Sequence, residues 1–280
     1  MWEEGFCELS VLAARQEGMI TAAQAARSGI DAEILEHFKQ TGLVFELDRD
    51  VYQLVSSPLG PRYAYPLAAW LSLRPEMFRW ERLAGAPDAV LSHESACALH
   101  GMGSVSAPVT VFTAPEKLEA SGAVKIHVSP LPEADVMVST GVPVTTPRRT
   151  ISDLVRDWAE HAEISSVLGD AVRRDLVDLR AVHRDLAPLA AEHEFPAGGR
   201  EFVEYFVPDL SPGSGLSPRN IRAYAALVFP ERVAETQRET IRVLRKARDP
   251  RGSGPEVDDI RDHDLSWELA AEMVGRTAQA

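Results

Sequence analysis

A chain of 280 residues, 45% hydrophobic and 25% charged, has the composition of an ordinary globular protein with room for two domains. Its formal charge of −13 excludes a binder of nucleic acid through overall positive charge, so any DNA contact needs a local basic surface. Two cysteines, Cys7 and Cys97, make no disulfide framework, and no apolar run approaches the ~20 residues of a membrane span.

Along the chain, Trp2, Phe6, Leu9 and Ala13 recur at helical spacing and predict an amphipathic helix that Gly18 terminates. Thr21 is a good N-cap for a short Ala-rich helix, which Ser28-Gly29 breaks. Asp31 can cap the next helix, whose Ile34, Leu35 and Phe38 share one face and which Gly42 stops. Two β-prone runs follow, Leu43 to Leu47 and Val51 to Val55, joined by Asp48-Arg49-Asp50 as a hairpin loop. Helix, short helix, turn, helix and hairpin is the order of a winged helix-turn-helix.

Beyond it, helices are predicted across residues 65–85 and strands at 109–114, 123–129 and 142–146. The stretch 146–175 reads as two helices opened by Thr146-Pro147. Residues 209–220 form a Pro/Gly/Ser loop, two further helices follow, and 249–259 reads as a linker. The expected fold class is α+β. A winged helix-turn-helix over residues 1–62 precedes a mixed α/β domain over 63–280 with a helical, partly linker-like C-terminal extension.

Two segments carry a family resemblance. "ITAAQAARSGIDAEILEHFKQTGLVFELDRDVYQLV" is similar to the winged helix of AbiEi-type antitoxins of type IV bacterial toxin–antitoxin systems. "LSHESACALHGM…APVTVFTAP" followed by "GVPVTTPRRTISDL" resembles that family's Ser-His-x-Ser-Ala-x-x-x-His-Gly and Thr-x-x-Arg-Thr-x-x-Asp segments. Together they span roughly residues 18–158. The resemblance implies an antitoxin that opposes a nucleotidyltransferase-like toxin encoded beside it. It also implies a repressor of its own operon that binds inverted repeats in the promoter, with a homodimer on DNA as one arrangement. An enzymatic activity and a cofactor are not expected, and the compartment expected from the absence of signal-peptide and membrane patterns is the cytoplasm.

Major-groove insertion of Asp31–Gln40, with the wing at Arg49, makes Thr21, Arg27, His37, Lys39, Gln40, Arg49 and Arg62 the candidate DNA contacts. Charge opposes this. Residues 1–57 hold four cations, Arg15, Arg27, Lys39 and Arg49, against ten carboxylates, a net −6, and the recognition helix itself carries Glu33 and Glu36. Residues 58–84 are net +2, and "RVLRKARDPR" is net +4. Arg242, Arg245 and Lys246 in that cluster are candidate partner contacts beside Arg148 and Arg149, although a charge run is commonly a solvated face. A competing expectation is an acidic winged helix that binds the toxin directly without DNA.

His93, Cys97 and His100 lie on one helical stripe of zinc-ligating types, but no nearby motif supplies a fourth ligand. A helix capped by Ser92 and ended by Gly101, with Cys97 as a small core residue, accounts for the same residues. Ser92 and Ser95 lack the glycine-flanked elbow of a hydrolase nucleophile. Glu256, Asp258, Asp259, Asp262 and Asp264 are enough carboxylates for Mg²⁺ and raise a nuclease-like alternative, yet they sit in a polar, Gly/Pro-bounded run rather than at the end of a core strand.

Overall fold

The computed structural model describes residues 2–120, 122–211, 213, 215–248 and 260–278, with side chains at 248 and 260–262 excepted. The chain divides into two compact units, residues 1–101 with 105–150, and residues 102–104 with 151–280. The architecture is mixed α and β, with both sheets in the first unit.

The first unit opens with α1 (Trp2–Ala14), β1 (Met19–Thr21), α2 (Ala22–Arg27), α3 (Ala32–Gln40), β2 (Val44–Asp48) and β3 (Val51–Leu54). The hairpin pairs Val44 with Leu54 and Glu46 with Tyr52, then shifts register at a bulge so that Asp48 faces Val51. Asp50 closes the turn at φ +58°, a left-handed conformation that short polar side chains tolerate. The expected hairpin gains a third strand. β1 pairs antiparallel with β3, Met19 against Gln53 and Thr21 against Val51, giving the order β1-β3-β2. Leu9, Ala13, Ile20, Ala25, Ile30, Leu35, Phe38, Val44 and Leu54 close the core beneath these elements.

A five-stranded sheet follows, built from β4 (Val90–Leu91), β5 (Thr110–Ala114), β6 (Val124–Val128), β7 (Val136–Ser139) and β8 (Val142–Thr145) in the order β6-β5-β4-β8-β7. The β5/β6 and β4/β8 pairs are parallel and the other two antiparallel. Helices α4 (Pro61–Ser72), α5 (Arg79–Arg82) and α6 (His93–His100) accompany it. Along α4, Ala64, Leu67, Ala68, Trp70 and Leu71 join a core that also includes Met19 and Val51 on one side and Leu91, Phe112 and Val144 on the other. Burial pulls the Arg82 guanidinium below the ordinary arginine value. It lies 3.6 Å from the Trp70 ring centre and donates to both carboxylate oxygens of Asp88, at 3.1 and 2.8 Å.

The second unit is helical. From Ile151 it takes the later part of α7 (Pro147–Arg156), then α8 (His161–Arg173), α9 (Leu179–Leu186), α10 (Gly199–Phe206), α11 (Pro218–Val228), α12 (Pro230–Arg248) and α13 (Ile260–Thr277). Its polar keystone is Asn220, wholly buried in α11. The side chain accepts from Leu179 N–H at 2.9 Å and donates to the carbonyls of Val172 and Val177 at 3.1 and 2.9 Å. Helices α9 and α10 have no counterpart among the elements expected from the sequence.

Candidate nucleic-acid interface

The pair α2/α3 is fixed from below by polar chemistry as well as by apolar packing. Thr21 caps α2 in a reciprocal box: its hydroxyl accepts from Gln24 N–H at 3.1 Å while the Gln24 side chain accepts from Thr21 N–H at 3.2 Å. Gln16 donates to Gln24 Oε1 at 2.8 Å and accepts from Arg79 N–H at 2.7 Å, and Gln24 donates to the Met77 carbonyl at 2.7 Å. The Thr21 hydroxyl donates to the Pro75 carbonyl. Thr21, Gln16 and Gln24 are all wholly buried, so Thr21 is a structural cap and offers no surface to a phosphate. The Thr-x-x-Gln spacing was the signal for this network.

Asp31 caps α3 by accepting from Ile34 N–H at 2.9 Å. Leu35 and Phe38 point into the core, which leaves Ala32, Glu33, Glu36, Lys39 and Gln40 exposed along the outer face. Of the candidate contacts, Lys39 is ion-paired with Glu46 on β2, which lowers the Glu46 carboxyl and raises the lysine. Gln40 donates to Glu36 at 3.0 Å. His37 is half-buried with its ring 5.5 Å from that of Trp2. Arg27 forms a two-pronged pair with Glu81, both bonds 2.9 Å, and lies 4.9 Å from the Phe78 ring. That pair, with the Phe78 amide also donating to it, holds the Glu81 carboxyl at about 2.

Arg49 at the hairpin tip extends into solvent with 88% of its side chain exposed, 3.9 Å from Asp50. Arg62, exposed on the first turn of α4, donates to the Leu99 carbonyl at 2.8 Å. The structure therefore brings Lys39, Gln40 and Arg49 to the α3/hairpin face, and turns Thr21, Arg27 and Arg62 toward partners elsewhere in the first unit. In sequence Glu46 and Glu81 register only as charges, since Glu46 meets Lys39 through the folded hairpin and Glu81 lies 54 residues from its arginine.

Arg149 at the start of α7 donates to Asp135 at 2.9 Å, the carboxylate expected of an arginine at a helix N-terminus, and Arg148 is exposed. Arg242, Arg245 and Lys246 line the exposed distal half of α12. Glu256, Asp258 and Asp259, with the expected linker 249–259, lie outside the described residues, and Asp262 and Asp264 lie on α13.

At α6, Gly101 ends the helix at φ +67° as expected, whereas Ser92 does not cap it with its side chain. The Ser92 hydroxyl instead accepts from Thr113 at 2.9 Å and meets His93 Nδ1 at 2.9 Å. His93 stacks on His127 with ring centres 4.1 Å apart, His100 donates through Nε2 to the Thr145 carbonyl at 2.8 Å, and Cys97 is wholly buried. The three residues of the stripe thus meet different groups.

No family model matches the chain, and no curated protein matches it either.

Proposed function

We propose that the chain is an antitoxin of a type IV-like toxin–antitoxin system that also regulates its own operon, reading promoter DNA through a winged helix-turn-helix formed by α1 to β3. The observation that carries this reading is the arrangement of α2, α3 and the β1-β3-β2 sheet, with the polar side of α3 turned outward beside a hairpin tipped by Arg49. In that arrangement α3 enters the major groove and Arg49 meets a phosphate or the minor groove. Inverted repeats in the promoter call for two copies of the chain. The toxin countered would be a nucleotidyltransferase-like enzyme, and the chain itself would have no enzymatic role. No helix among the described residues is long and apolar enough to cross a membrane.

An electrophoretic shift with the promoter DNA at low salt tests the reading, since electrostatic contacts are strongest there. A sequence-dependent shift is expected, and none at low salt overturns it. One observation favours a second reading, direct docking of the acidic module on a basic toxin: Arg27 and Lys39, two of the module's four cations, are already ion-paired. A stable stoichiometric complex with the neighbouring gene's product, without promoter binding, selects that alternative.

A further inference from the structure

Among the described residues of the second unit, Trp158, Asp175 and Glu194 are the non-glycine positions with positive φ, and Trp158 is the bulkiest of them. Helix α7 ends in a paired closure in which Ala159 N–H donates to the Leu154 carbonyl at 3.0 Å and Trp158 N–H to the Val155 carbonyl at 3.2 Å. That closure wants a left-handed residue after the helix, a place glycine takes most readily. Here Trp158 occupies it at φ +57°, and 63% of its surface stays exposed. Neither backbone preference nor burial accounts for an indole at that point. Strain held at a site the fold does not need is a mark of function.

The indole forms one wall of a small cleft of about 70 Å³. Opposite and beneath it stand His161, His193, Phe195, Tyr205 and Phe206. His193 lies 4.4 Å from Trp158, ring centre to ring centre, and His161 stands edge-on to Tyr205 at 4.4 Å. Phe195 and Phe206 are buried and form the floor, while Tyr205 is 37% exposed at the rim. His161 is held by its Nε2–H, which donates to the Tyr205 carbonyl at 3.0 Å. The Nδ1 atom of His193 is buried and finds no hydrogen-bond partner among the described residues.

Carboxylates flank the lining residues in the chain. Glu160, Glu194 and Glu204 are exposed, and each is the immediate chain neighbour of a residue that lines the cleft. The adjoining cations turn elsewhere. Arg156 lies 3.9 Å from Asp153, and Arg200 donates to the Val228 carbonyl at 3.0 Å with its guanidinium 5.5 Å from Phe229.

We propose that this cleft is a cation cage that receives a lysine or arginine side chain of a basic protein partner. Aromatic faces attract a desolvated organic cation, the exposed glutamates next to the lining residues in the chain add a long-range attraction, and His193 Nδ1 accepts one of its N–H groups. The volume admits the head of a side chain and falls well below the roughly 300 Å³ at which free-ligand pockets begin. The proposal goes beyond the DNA-binding reading and stands whether or not α3 meets DNA.

The test is a titration of the full chain with Nα-acetyl-lysine amide, Nα-acetyl-arginine amide and the uncharged Nα-acetyl-norleucine amide, followed by the NMR signals of His193, Tyr205 and the Trp158 indole. The expected result is a saturable shift with the two cations and binding at least about tenfold weaker with norleucine. Trp158→Gly should abolish the response at His193 and Tyr205 while leaving the melting temperature equal or higher, because glycine relieves the left-handed backbone and net charge does not change. Trp158→Asn, which also tolerates that conformation, should behave alike. The proposal is overturned by no saturable shift, by an equal response to norleucine, or by a response that survives both substitutions.

Discussion

Arg27 and Glu81 lie 54 residues apart and meet through two bonds of 2.9 Å, joining the end of α2 to α5. The arginine is therefore engaged before any phosphate arrives. Binding DNA through it would mean exchanging a bidentate carboxylate for a phosphate oxygen.

The same pair makes stability depend on acid. The Glu81 carboxyl falls from its usual 4.5 to about 2. A depressed folded value means that its contribution is complete above 4.5 and is lost as pH falls through about 2. Urea unfolding of the wild type and Glu81→Gln should therefore differ most near neutrality and converge toward pH 2. Equal stability at every pH would show that the pair contributes nothing.

Neutralising the outer face of α3 should strengthen promoter binding. Glu33 and Glu36 stand where a duplex would lie, so Glu33→Gln with Glu36→Gln is expected to raise affinity about tenfold at low salt. Arg49→Ala should weaken binding and reduce the salt dependence by about one phosphate contact. Affinities indifferent to all three changes would move the interface away from α3 and the hairpin.

In the second unit, Asn220→Ala would remove the buried partner of Leu179 N–H and of the Val177 carbonyl, while the Val172 carbonyl keeps the Asp175 N–H at 3.1 Å. A loss of about 3 kcal/mol in unfolding free energy is expected, measured by denaturant titration. A change under about 1 kcal/mol would mean that water replaces the amide at little cost.

Gly275 gives an informative sign. At an open helical position Gly→Ala is stabilising by about 1 kcal/mol. A Cβ at Gly275, however, would come within 2.5 Å of Ile221 Cγ2 and 2.9 Å of the Ile221 carbonyl. Overpacking should win, and Gly275→Ala should melt at a lower temperature than the wild type.

The elements most legible in sequence were those whose signal is local. Asp31, Thr21 and Gly101 announced helix boundaries, and the runs flanking Asp48-Arg49-Asp50 announced a hairpin. β1 escaped because three residues carry no periodicity, and β4 because it has only two. Ser92 looked like a cap, but its hydroxyl serves Thr113 and His93, a choice made by the packing of β5 against α6. The candidate contact residues were legible as charges and not as pairs. Glu46 and Glu81 reach Lys39 and Arg27 only after the hairpin and α5 have been folded into place. Trp158 was invisible for a different reason, since its significance lies in a backbone angle.

The buried amides Gln16 and Gln24 have a practical consequence for anyone dissecting the chain. Their partners at Met77 and Arg79, like the Pro75 carbonyl that Thr21 holds, come from beyond residue 62. A fragment cut there would also uncover Met19 and Val51, which share their core with α4. The segment from α1 to β3 completes its interior with material from the helices and sheet that follow it. The smallest piece expected to keep its shape in isolation extends to the end of the five-stranded sheet.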